Sequence, residues 1–160
     1  MDIRIAQKGD LAQLVNIYNQ AIQTGRCTAD TETFSEAQRQ NWFESHSAES
    51  YPLLVAKHGD EVLGYLTLSP YRFARKALKQ TAEVSYYIDF KHHRKGVASE
   101  LLSAAITMCP SIKINTLVAI LIDCNLGSVS FLNNKGFEEW GRFPKIVRLG
   151  DDYFDHLYYG

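Results

Sequence analysis

The chain has 160 residues, enough for one domain with a proper apolar core, since 46% of them are hydrophobic. A formal net charge of −1 argues against bulk attraction to nucleic acid or an acidic membrane. The three cysteines, Cys27, Cys109 and Cys124, have no C-x-x-C spacing, so neither a disulfide framework nor a zinc site is expected. Met1 to Ala6 alternates as a short strand. Gly9-Asp10 then leads into Leu11, Leu14, Val15, Tyr18, Ala21 and Ile22, an amphipathic helix stripe. Ser35-Glu36-Ala37-Gln38 has capping-box form and starts a second helix through Trp42-Phe43. Tyr51 to Lys57 and Val62 to Leu68 read as strands joined by the turn His58-Gly59-Asp60-Glu61. Residues 71–80, with Arg72, Arg75, Lys76 and Lys79, read as a mobile basic loop. A strand over 82–89 and a helix over 96–108, closed by Pro110, come next. Leu117 to Ile122 is apolar on both faces, as in a strand buried within a sheet. Ser128 to Lys135 is a short helix ended by Gly136, and strands over 137–147 and 153–159 finish the chain. This order predicts an α/β class: a central mixed sheet with helices on both faces, in one domain over 1–160.

Chemistry concentrates around His93-Arg94-Lys95-Gly96-Val97-Ala98. A glycine-bearing turn at a helix start leaves several backbone N–H groups unpaired at the positive end of the helix dipole. Such a turn receives anions, and Arg94 and Lys95 add charge where a phosphate would sit. Glu83 stands inside an otherwise apolar strand, where burial raises a carboxyl pKa toward a useful value for a general base. Asn125 and Ser128 suit either amide-group binding or helix capping. No metal site is predicted: His92 and His93 are adjacent and face apart on a strand, and no H-x-x-x-H, P-loop, G-x-S-x-G or EF-hand pattern occurs. No signal peptide and no membrane span is expected, and the reducing cytoplasm fits the cysteine usage.

Four segments in order carry a family resemblance. The first is Ile3-Arg4, Gly9-Asp10-Leu11 and Ile17-Tyr18-Asn19-Gln20-Ala21, leading to Trp42-Phe43. The second is Tyr51 to Ala56, Gly64-Tyr65 and Leu68-Ser69-Pro70-Tyr71-Arg72. Thr81 to Ile88 runs into the anion turn as the third, and Asn125-x-x-Ser128 with Gly136-Phe137 is the fourth. Together they resemble the GNAT superfamily of acetyl-CoA-dependent N-acyltransferases, and within it the phosphinothricin acetyltransferase-like branch. The resemblance implies the GNAT fold and a direct transfer of acetyl from acetyl-CoA to the primary amine of a small amino-acid-like acceptor. It puts His93 to Ala98 (His93, Arg94, Lys95, Gly96, Val97 and Ala98) at the Q/R-x-x-G-x-G/A position that wraps the pyrophosphate. Tyr86, Tyr87 and Ile88 match the strand that pairs with the pantetheine arm, and Asn125 and Ser128 match residues beside that arm. Glu83 matches the glutamate of a T-x-E-x-S motif, with Ser85 on the acceptor side. Arg72 and Phe73 match the loop that meets an acceptor carboxylate, and Thr24 to Phe34 matches a wall of that site. A homodimer is implied as well. The sequence departs from the pattern at Leu132, where the superfamily often has a tyrosine and this branch often a histidine as proton donor. Asn133 or Tyr159 could serve instead. Acetylation of a protein amine, or acyl-CoA binding without catalysis, are the other functions compatible with these segments.

Overall fold

The computed structural model describes residues 1–160. Seven strands form one sheet in the order β1-β2-β3-β4-β5-β7-β6. They are β1 (Asp2–Ile5), β2 (Leu53–His58), β3 (Glu61–Pro70), β4 (Thr81–Ile88), β5 (Thr116–Ile122), β6 (Glu139–Leu149) and β7 (Asp152–Tyr159). The helices are α1 (Leu11–Gln23), α2 (Glu36–Glu44), α3 (Val97–Met108) and α4 (Leu126–Asn134). Every neighbouring pair is antiparallel except β4 and β5, which are parallel. A parallel pair needs a crossover, and α3 supplies it. The expected mixed sheet with helices on both faces is present, and the expected elements occur in the expected order.

Strand alternation assigns the two faces. On one, Val84 and Ala82 join Leu101, Leu102 and Leu132 in the larger apolar cluster beneath α3 and α4. On the other, Leu14, Tyr18, Val55 and Tyr65 form a smaller cluster beneath α1, with Phe34 and Trp42 packed against it. The capping box forms as its sequence predicts: Gln38 N donates to Ser35 Oγ, and Ser35 N donates to Gln38 Oε1 at 2.8 Å. Several boundaries shift by one or two residues, and two of these shifts have a local cause. Helix α4 starts at Leu126, not Ser128, because the Asn125 side chain accepts from Ser128 N and so takes the cap position. The strand expected from Tyr51 starts at Leu53, Tyr51 making an isolated bridge to Ser47.

Candidate active site

The site begins where the sheet comes apart. Strand β4 pairs with β5 over Thr81↔Thr116 to Glu83↔Val118 and no further. Thr81 O accepts from Tyr71 N, and Asp89 N donates to Leu63 O, so the odd positions of β4 turn their backbone toward β3. The backbone groups of Val84, Tyr86 and Ile88 therefore face the opening wedge between β4 and β5. That wedge is a ready edge for an extended, amide-bearing ligand, which can take the place of a missing strand.

Side chains on the odd positions point to the α1 side. Glu83, Ser85 and Tyr87 line a cavity of about 380 Å³, with Tyr18, Trp42 and Tyr65 among its other walls. Tyr87 meets Tyr18 edge-on at 4.8 Å and Tyr65 at 5.4 Å, a rigid aromatic floor. Glu83 is half-buried, without a hydrogen bond or an ion pair. Burial alone pushes its pKa above the ordinary carboxylate value, because no cation or donor offsets the lost hydration. A carboxylate in that state accepts a proton readily. A second cavity, of about 40 Å³, lies in the wedge and is bounded by Tyr86, Asn125, Ser128 and Leu132. The two cavities share Cys27, Ser85, Tyr87, Ile120 and Leu121 as walls, so they adjoin.

The anion turn sits at the C-terminal end of β4. Gly96 caps α3 with φ +83°, and Arg94 is also left-handed at φ +59°. Because the first helical bond runs from Glu100 N to Gly96 O, the N–H groups from Arg94 through Ser99 have no acceptor within the chain. A run of bare amides on two successive left-handed bends, flanked by Arg94 and Lys95, is suited to a pyrophosphate. His93 anchors the turn from below, its Nε2 lying 3.0 Å from Ile88 O. Gln20 of α1 fixes the segment upstream: its Nε2 donates to Asp89 Oδ2 at 2.9 Å and its Oε1 accepts from Phe90 N at 3.0 Å.

The other predicted positions divide. Ser85 lines the large cavity, as expected of an acceptor-side residue. Asn125 and Ser128 flank the wedge, and the Asn125 Oδ1 accepts from Ser128 N, which is the capping use weighed for these residues. Arg72 and Phe73 are not brought to either cavity. Their loop passes beyond the paired ends of β3 and β4, is gathered by a 3₁₀ turn at Lys76–Leu78, and leaves Phe73 86% exposed. Leu132 is a core residue at 1% exposure, and Tyr159 is buried with its hydroxyl 3.4 Å from Glu139, pointing to the carboxylate of β6.

Sequence reasoning missed Arg39. It lines the same cavity as Glu83 from α2, its guanidinium 4.0 Å from the Trp42 ring centroid and 4.8 Å from that of Tyr18. No carboxylate lies within ion-pairing distance of it, and none of its N–H groups has a hydrogen-bond acceptor in the chain. Its spacing to Trp42 along α2 was the available signal, since residues three apart share a helix face.

The match to the acetyltransferase (GNAT) domain model runs over residues 3–158. The chain belongs to the GNAT acetyltransferase family. Membership makes it an acetyltransferase with acetyl-CoA as co-substrate, and the bare amides of the turn and the open edge of β4 fit a pyrophosphate and an amide-bearing arm. It is 37% identical over 97% of its length to YwnH of Bacillus subtilis strain 168, provisionally named a phosphinothricin acetyltransferase, and covers 94% of that protein. It is 30% identical to the L-methionine sulfoximine/L-methionine sulfone acetyltransferase of Pseudomonas aeruginosa PAO1, over 90% of this chain and 84% of that one. Among solved structures, yncA of Salmonella typhimurium, which carries acetyl-CoA as its cofactor, superposes with a TM-score of 0.91 at 26% identity, covering 99% of this chain and 91% of that one.

Proposed function

We propose that this acetyltransferase acts on the primary amine of a small amino-acid-like compound, of the phosphinothricin or methionine sulfoximine type. The observation that carries the reading is the pair of opposite charges in one cavity: Glu83 on β4 and the unpaired Arg39 on α2. An α-amino acid presents an ammonium and a carboxylate a few ångströms apart, and a cavity with one acid and one free guanidinium complements both. Arg39 takes the carboxylate role that the sequence suggested for Arg72. A cavity of about 380 Å³ with a closed aromatic floor suits a free amino acid better than a protein chain end. Relatives named for methionine sulfoximine, methionine sulfone and phosphinothricin support the same class.

Glu83 takes the proton from the acceptor ammonium, leaving a neutral amine held against Ser85 and the tyrosine floor. The backbone of Tyr86 and Ile88 holds the pantetheine arm along the wedge, and an N–H there faces the carbonyl oxygen on which charge develops. The amides of Arg94 through Ala98 hold the pyrophosphate, with Val97 and Ala98 opening α3. Acetyl-CoA, when bound, supplies a thioester whose carbonyl carbon accepts the amine. The protein works in the cytoplasm as a homodimer. Strand β6 is an edge strand with Trp140, Phe143 and Ile146 exposed, a surface that a second copy would cover.

The test compares methionine sulfone, methionine sulfoximine and phosphinothricin with the same amines lacking their carboxylates, by thiol release from acetyl-CoA. The acids are expected to be preferred. Arg39→Met should raise KM for the acids by about 10- to 100-fold, the loss of one charge-assisted pair, and leave the carboxylate-free amines unaffected. Equal turnover of acids and decarboxylated amines by the wild type would overturn the reading.

A further inference from the structure

The chain keeps leucine where a proton donor is expected, yet it buries a hydroxyl nearby with nothing to bond. Tyr86 Oη is one of two buried side-chain polar atoms without a hydrogen-bond partner. The other, Asp123 Oδ1, belongs to a carboxylate whose second oxygen faces Arg142 at 3.9 Å. Tyr86 has no ion pair: the Ser128 hydroxyl approaches its oxygen, but its own proton has no acceptor. Its ring is held edge-on against Phe131 of α4 at 5.1 Å, which fixes the hydroxyl's direction. A buried donor left without an acceptor is costly, so its retention calls for a ligand atom. The hydroxyl belongs to a residue that lines the wedge cavity, together with Leu132, Ser128 and Asn125.

What would occupy that cavity follows from the layout. The phosphate turn lies at one end of β4 and the base Glu83 toward the other, and the open edge of β4 connects them. An arm laid on that edge passes through the wedge before it reaches the acceptor cavity, which the wedge adjoins through Ser85 and Tyr87. A sulfur at the inner end of such an arm would meet Tyr86, Leu132 and the shared wall.

We propose that the Tyr86 hydroxyl donates a hydrogen bond to the sulfur of the departing CoA thiolate, the task for which position 132 has no suitable group. This rests on the acetyl-transfer reading above but not on the identity of the acceptor. As the amine nitrogen bonds to the acetyl carbon, the carbon–sulfur bond breaks and its electron pair stays on sulfur. Glu83 passes the ammonium's proton on to solvent and then takes the second proton that the nitrogen sheds as the amide forms, and Tyr86 keeps its own proton while stabilising the new charge on sulfur. Burial pushes the Tyr86 phenol up to about 12, with the Ser128 hydroxyl pulling the other way. A thiol titrates near 8.5. The phenol is thus fully protonated at neutral pH, and lending a hydrogen bond is favoured over giving up the proton.

The test is the pKa of the bound CoA thiol, read from thiolate absorbance in the binary complex, in wild type and Tyr86→Phe. Loss of the donor is expected to raise that pKa by about one unit or more, and to lower kcat about 10- to 100-fold with the acceptor KM unchanged. A bound thiol that titrates identically in the two proteins overturns the proposal. A second measurement needs the wild type alone: affinity for CoA against desulfo-CoA as pH rises through the thiol range. The preference for CoA should grow with pH, because the thiolate is the better acceptor. A flat or falling preference, or no binding of CoA, also overturns it. Failure of every amino-acid acceptor with the thiol shift intact would count against the acceptor reading and leave Tyr86 in its role.

Discussion

Replacing Gly96 with alanine separates backbone conformation from steric room in the anion turn. A Cβ built on Gly96 meets nothing within 4 Å, so the substitution collides with no neighbour. The cost lies in φ +83°, a left-handed conformation that disfavours an L-residue by roughly 1–2 kcal/mol. If the turn holds its shape, that strain appears as lost stability, a fall of about 2–8 °C in Tm for a chain of this length. If the turn relaxes, the amides of Gly96 and Val97 swing off their common target. One lost charge-assisted bond to phosphate is worth about 1.5–3 kcal/mol, or roughly 10- to 100-fold in affinity. Calorimetric titration with CoA beside thermal melting reads both effects. Arg94→Gly is the companion variant, since it preserves a left-handed bend at φ +59° while removing one charge. It should weaken CoA binding in a salt-dependent way with little change in fold. An unchanged CoA affinity in Arg94→Gly, with Gly96→Ala losing neither stability nor affinity, would refute the assignment of this turn to the pyrophosphate.

Asp10→Asn should cost about 2–3 kcal/mol by chemical denaturation: Asp10 is 3% exposed and pairs with Arg4 at 2.8 Å and Lys57 at 3.4 Å, partners partly screened by solvent. Burial alone would raise the Asp10 pKa, but the hydrogen bonds from Arg4 and Gln7 N outweigh it and hold the value below normal. A lowered folded-state pKa gives stability above the unfolded value near 3.9 that is lost as pH falls through the folded one, so the variant should show a shallower acid limb below about pH 4. Leu132→Ala removes a side chain at 1% exposure in the larger core and should cost about 2–5 kcal/mol, measured the same way. A loss under 1 kcal/mol would show that α4 is not held by this residue.

Most of the architecture was legible because local signals agreed with it. The α1 stripe of Leu14, Val15, Tyr18 and Ile22 is buried, and the doubly apolar β5 lies inside the sheet. The start of α4 was misplaced because Leu126, at 73% exposure, adds no apolar periodicity, and the cap depends on which way Asn125 turns. Strand β6 outran its expected end at residue 147: its register shifts between Phe143 and Val147, around the left-handed Lys145, and a bulge breaks the alternation a sequence can show. The turn and Glu83 stand out in the sequence by motif and polarity. Arg39 and the hydroxyl of Tyr86 do not, because a missing partner is a fact of tertiary packing. Arg39 reads as any helix-surface cation until Tyr18 and Trp42 are seen beneath it, and Tyr86 reads as sheet packing until its buried hydroxyl is found without an acceptor. The divergence of β4 from β5 after Glu83 is equally invisible in the sequence, since it is set by long-range register.

The most direct measurement is the pH profile of thiol release from acetyl-CoA with methionine sulfone as acceptor, for wild type and Glu83→Gln. The raised pKa of Glu83 means that the folded state disfavours its charge, so stability falls as pH rises from the ordinary glutamate value through the folded one. The glutamine variant should therefore be at least as stable as wild type at pH 7 while its kcat falls about 10²- to 10⁴-fold. The wild-type acid limb should titrate above the ordinary glutamate value and be absent from the residual activity of the variant. Equal turnover by the two proteins, with the same acid limb, would contradict Glu83 as the base and the cavity it lines as the site of transfer.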